Sequence, residues 1–114
     1  MKVTELLRWQ WEGYPRYHGS RFNLLVHIVA VPLFWAGNIT VLLAFIRLSR
    51  LSALAGVAVT VFAFALQGFG HSKETVPAEP FTGPLNFVAR VFLEQWVNFP
   101  RFVLSGGWVR ALRR

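Results

Sequence analysis

The feature that most constrains this chain is an uncharged run of 25 residues, Phe22 to Ile46, reading "FNLLVHIVAVPLFWAGNITVLLAFI". A helix of that length, rising about 1.5 Å per residue, reaches across the roughly 30 Å hydrocarbon core of a bilayer. The basic break "RLSRLS" follows, and within it begins a second uncharged run of 19 residues, Leu51 to Phe69, rich in Ala, Val and Phe. Two apolar helices joined by so short a connection must run antiparallel. The pattern therefore predicts an all-α fold, a small membrane protein built on an antiparallel transmembrane helical hairpin with amphipathic flanking helices. A soluble all-helical core of the same pattern is the alternative. Residues 1–114 form one domain at most.

Charge placement favours the membrane. The net charge of +7 comes mainly from ten arginines. Arg8, Arg16 and Arg21 precede the first run, Arg47 and Arg50 separate the two, and Arg90, Arg101, Arg110, Arg113 and Arg114 follow the second. Charges that bracket apolar runs are membrane flanks, not a stripe along a nucleic-acid-binding face, so a membrane is the expected partner and nucleic acid is not. Arginines are more numerous around the termini than in the turn, which predicts cytoplasmic termini for an integral protein of a bacterial inner membrane or the endoplasmic reticulum. There is no Cys, which excludes disulfides and thiolate metal sites.

The flanks carry their own signals. A short amphipathic helix is expected from Thr4 to Trp11, broken by Gly13 and Pro15. Pro32 is expected to kink the first long helix and Gly37-Asn38 to weaken it. The stretch "HSKETVPAEPFTGP" holds three prolines and reads as a loop. Leu85 to Asn98 reads as an amphipathic helix ended by Pro100, and the Arg-rich aromatic tail is expected to lie on the membrane surface.

Within this apolar setting the polar residues stand out. The chain has three histidines, and its turn centres near Ser49. His27 lies 22 residues before Ser49 and His71 lies 22 after it. Each is thus about 33 Å from the turn along its own helix, so the two arrive at one level. His18 sits in the lead-in to that same end. Asn23 and His27, spaced i, i+4, share a helix face. Gln67, His71 and Glu74, spaced i, i+4, i+7, share another if the second helix continues that far. Imidazoles with a carboxylate and open positions are what a non-haem ferrous site needs. Asn23 and Gln67 would orient the ligands from behind, or serve simply as hydrogen bonds between helices. Three imidazoles also suit zinc with one open position, hence a different lipid metalloenzyme on the same scaffold. A non-catalytic membrane interaction protein, its histidines tying helices together, is the remaining alternative.

The residues also resemble a known family. "YHGSRFNLLVHIVAVP" is similar to its pattern of Tyr-His, four residues, Asn, three residues, His, and a Pro five positions on. "QGFGH", followed by Glu and Pro-Ala in "KETVPA", is similar to its second motif. This is the yeast-type 2-hydroxy fatty acid α-dioxygenase-like family, long known only as a domain of unknown function, and the resemblance spans roughly residues 14–100. It implies a small multi-helix membrane protein that binds Fe(II) through histidines. The implied reaction is α-oxidation of a 2-hydroxy fatty acid by molecular oxygen, giving carbon dioxide and a fatty acid one carbon shorter. His18, His27 and His71 match the motif histidines, and Asn23 and Gln67 match its amides. Glu74 follows His71 by three positions, where the family pattern more often has four, and Pro77-Ala78 comes early as well. Glu74 is the expected carboxylate ligand, and Glu94 is its rival because an acid in the last helix also recurs in the family.

Overall fold

The computed structural model describes residues 2–114, which are helical without a strand. The order is α1 (Val3–Tyr17), α2 (Arg21–Ile46), α3 (Arg50–His71), α4 (Pro84–Leu93), a π-helical turn (Glu94–Asn98), α5 (Phe99–Leu104) and α6 (Gly107–Leu112). Helices α2 and α3 are the two long apolar elements, each long and apolar enough to cross a membrane.

The two long helices pack along their length, and two glycines set how closely. A Cβ on Gly37 would lie 2.5 Å from Thr60 Oγ1 and 2.9 Å from the Gly56 carbonyl. One on Gly56 would lie 2.7 Å from Val41 Cγ2. Only a missing side chain at both positions lets the backbones come this near. Gly37 therefore strengthens the helix pair rather than weakening α2, and α2 runs unbroken through Pro32. Beside this contact Asn38 donates to Thr60 Oγ1 at 3.1 Å and accepts from Trp96 Nε1 at 2.9 Å. Further along, Asn23 faces Gly70. As residue numbers rise along α2, the numbers of their α3 neighbours fall.

The connection between them turns on Leu48, whose φ of 54° is in the left-handed region. Ser49 N donates back to the Ala44 carbonyl at 2.9 Å, closing α2, and the Ser49 side chain accepts from Ser52 N to open α3. Helix-terminating left-handed positions are usually glycine, because a Cβ there meets the carbonyl oxygen.

The remaining helices collect at the end of the pair away from this turn. Their core is Tyr14, Leu24, Val31, Phe99, Phe102 and Ala111, flanked by Trp11, Ile28, Trp35 and Trp108. Here the structure departs from the expected boundaries. Helix α1 runs on through Gly13 and Pro15 to Tyr17. Pro15 lies in its last turn and has no N–H to give the carbonyl one turn back, and burial of Tyr14 against Phe102 holds that turn in place. Pro100 does not end the last helix: the chain passes through the π turn into α5, with the proline in its first turn. In the π turn Phe99 N reaches back to the Glu94 carbonyl instead of that of Gln95. Pro100 has no N–H to take up the Gln95 carbonyl, and Trp35 Nε1 does so at 2.7 Å. The tail folds back as α5 and α6, with Trp108 Nε1 donating to the Leu24 carbonyl at 2.9 Å. Arg21 donates to the carbonyls of Leu112 and Arg114.

A candidate metal centre

Each of the three histidines is delivered by a different element. His18 follows the last residue of α1, His27 lies in the second turn of α2, and His71 is the last residue of α3. Their rings meet in a corner, with centroids 4.7 to 5.0 Å apart and planes inclined by 77° to 87°. Glu94, the first residue of the π turn, completes the group. One ligand atom from each of His18, His27, His71 and Glu94 lies within 4.8 Å of the others.

The hydrogen bonds say which nitrogens are bare. His18 Nδ1 is 2.9 Å from the Tyr14 carbonyl, and His27 Nδ1 is 3.0 Å from the Asn23 carbonyl. A carbonyl can only accept, so Nδ1 carries the proton on both rings and, in a neutral imidazole, Nε2 carries the lone pair. Both Nε2 atoms are buried and have no hydrogen-bond partner. They point at the same oxygen, Glu94 Oε1, at 3.4 and 3.5 Å. Two lone pairs facing a carboxylate oxygen repel unless a cation lies among them.

Protonating the rings would supply that charge, but a charge-assisted N–H···O contact closes to about 2.7–2.9 Å. The separations found are too long for this. Two ligands of one ion held at about 2.1 Å stand roughly 3.0 Å apart at right angles and 3.4 Å apart in a tetrahedron. The two Nε2–Oε1 spacings fall close to that range, and all four ligand atoms lie within 4.8 Å of one another. Nδ1–H bonded to a backbone carbonyl is also the usual support for a metal-ligating histidine. These residues can hold a metal ion.

Tyr14 belongs to the same site and was not anticipated. Its ring stacks on His18 at 3.8 Å, with planes 4° apart, and its hydroxyl donates to Glu94 Oε1 at 3.3 Å. Burial pushes the phenol well above its ordinary range, and the Glu94 charge pushes it further, so it remains a donor. The expected break at Gly13 hid this part of α1, since only a helix continuing to Tyr17 puts Tyr14 one turn before His18.

Glu74 stands elsewhere. Helix α3 stops at His71, and Ser72 and Lys73 turn the chain back, so the expected i, i+4, i+7 face ends before reaching it. Its carboxylate instead meets the start of α2, where Asn23 Nδ2 donates to Oε2 at 2.7 Å. Gln67 bonds to no histidine. It pairs with Gln95, donating at 2.8 Å and accepting in return. Gln95, like Tyr14, was not anticipated; its partner lies across the fold and its sequence neighbourhood carries no sign of it.

A cavity of about 480 Å³ opens beside the centre. His18, His71, Glu94, Tyr14 and the Gln67–Gln95 pair line its inner end, and Phe64, Phe81, Val91 and Trp9 line its walls. The loop before α4 covers part of it and is pinned by Arg90, which donates to the carbonyls of Glu79 and Pro80 and lies over the rings of Trp9 and Phe81. No family model, curated protein or solved structure matches this chain.

Proposed function

We propose that this protein is a membrane-embedded Fe(II)-dependent dioxygenase that converts 2-hydroxy fatty acids to carbon dioxide and fatty acids one carbon shorter. The observation that carries this reading is the pair of bare imidazole nitrogens aimed at one carboxylate oxygen, with a third histidine beside them and an apolar cavity opening from the group. Four protein ligands would fill the coordination of zinc and leave it a closed, structural site, whereas iron keeps open positions for oxygen and substrate. Histidines serving only to tie helices together would make the hydrogen bonds that these Nε2 atoms do not make.

The membrane reading rests on what the long helices leave uncovered. Only 28% of the most apolar window of α2, and 17% of that of α3, is buried. The core helix of a soluble protein is mostly buried, so lipid is the natural cover for the rest. Arginines clustered around the termini support a cytoplasmic placement of that end, in a bacterial inner membrane or the endoplasmic reticulum.

Ferrous iron supplies the redox chemistry when bound, and the overall change, a 2-hydroxy acid plus oxygen giving a shortened acid, carbon dioxide and water, balances without an outside reductant. The chain supplies the rest. His18, His27, His71 and Glu94 hold the ion, and Tyr14 fixes Glu94 Oε1 through its hydroxyl. The Gln67–Gln95 pair keeps one amide N–H on each residue uncommitted, available to a carboxylate oxygen at the inner end of the cavity. The aromatic walls exclude water and receive the acyl chain. The test is turnover by anaerobically iron-loaded protein, following oxygen uptake and carbon dioxide release with 2-hydroxy, 3-hydroxy and unsubstituted fatty acids of one length. Release confined to the 2-hydroxy acid is expected. No release from any of them, with iron bound, would sink the proposal.

A further inference from the structure

Helix α2 begins without an acidic residue in its first turn, although an exposed helix start has unpaired N–H groups and favours negative charge. The anion comes from 54 residues away. Glu74 Oε1 accepts from Gly19 N at 3.0 Å and Ser20 N at 3.0 Å, while Oε2 accepts from Ser20 N at 3.0 Å and Asn23 Nδ2 at 2.7 Å. Its own backbone N donates to the His71 carbonyl at 3.0 Å.

Each partner touches a ligand-bearing segment. Gly19 and Ser20 directly follow His18. Asn23 is the residue whose carbonyl holds His27 Nδ1. His71 carries the backbone carbonyl to which Glu74 itself is anchored. Asn23 also packs closely on α3: its Oδ1 lies against Gly70, where a Cβ would collide with it.

We propose that Glu74 is a positioning residue for the metal centre, a single carboxylate that sets the segments bearing His18, His27 and His71 in register. This rests on the metal reading above. It differs from a simple helix cap in its consequence: the groups it holds end in three rings whose separation decides whether an ion fits. Support of this kind around a metal site typically changes affinity 10–100-fold.

The test uses the full chain in detergent micelles, with Co(II) as the probe and its visible absorption as the readout. The comparison variant is Asn38→Leu, which removes the hydrogen bonds to Thr60 and Trp96 eleven residues along α2 from His27. Glu74→Ala is expected to weaken Co(II) binding about 10–100-fold and to alter the absorption of what binds. Glu74→Gln, keeping one acceptor oxygen, should recover part of the loss. Asn38→Leu should lower Tm and leave the Co(II) affinity unchanged. Wild-type affinity in Glu74→Ala overturns the assignment, and so does a loss of affinity that merely tracks Tm across all three variants. If Glu74→Ala does not fold, wild-type affinity and absorption in Glu74→Gln overturn it equally. No Co(II) bound by the wild type would bring down the metal reading and this inference together, whereas binding that ignores Glu74 would remove this inference alone.

Discussion

The two ends of the α2–α3 pair are built from similar residues and treated in opposite ways. At the turn, Phe45 is 80%, Leu48 88% and Leu51 80% exposed, with no other helix packed over them. At the other end Leu24, His27, Ala30 and Val31 are all 0% exposed, covered by α1 and by the elements after α4. The same apolar helices thus offer bare surface at one end and a buried polar cluster at the other. Burial alone does not explain the second end, since a histidine and an asparagine without water must be paired or be put to use. The contrast teaches that the short helices exist to enclose the cluster, and that the hairpin carries it.

Substitutions at the two ends should therefore differ in kind, and the largest effects belong to the enclosed end. His27→Ala or Glu94→Ala should abolish iron binding and turnover while helix content by circular dichroism is retained; full activity in either would break the contrast. Next comes Val61→Lys, at an exposed position midway along α3. A lysine at the centre of a membrane helix costs about 3 kcal/mol, so membrane-integrated protein should fall sharply on fractionation. Normal integration would show that this face does not meet lipid.

Gly37→Val tests the contact that both ends share. The added side chain meets Thr60 and the Gly56 carbonyl, and such overpacking costs about 1–3 kcal/mol, seen as a lower Tm. Tyr14→Phe removes only the hydroxyl bonded to Glu94. A loss of about tenfold in metal affinity is expected, with the stacking on His18 preserved; an unchanged affinity would reduce Tyr14 to a packing residue. The smallest effect lies at the bare turn, where Leu48→Gly relieves the left-handed backbone and should stabilise by up to about 1 kcal/mol, with metal binding unaffected.

How much of this could be read from sequence also divides by region. The two long helices are legible because they depend on local composition: an uncharged run of sufficient length has few alternatives. The equal count from Ser49 to His27 and to His71 is legible for the same reason, since a helix converts count into height. The carboxylate was not. Choosing between Glu74 and Glu94 depends on where α3 stops and on a π turn next to Pro100, and both are settled by packing against other elements. Tyr14 and Gln95 were missed likewise. One needed α1 to persist beyond Gly13 and Pro15, and the other has its partner 28 residues away. The turn of the chain at Ser72 and Lys73 makes a metal ligand of neither nearby polar side chain, yet it brings Glu74 onto the start of α2.

The most direct test of the metal centre is a count of iron. The protein would be purified in detergent without air and loaded with Fe(II) in the presence of competing Zn(II). Bound metal per chain would be measured for the wild type, His71→Ala and Glu94→Ala. We expect about one iron per chain in the wild type, as four converging ligands on one ion require, and its loss in both variants. Zinc in place of iron, or no metal in any of the three proteins, would contradict the ferrous site.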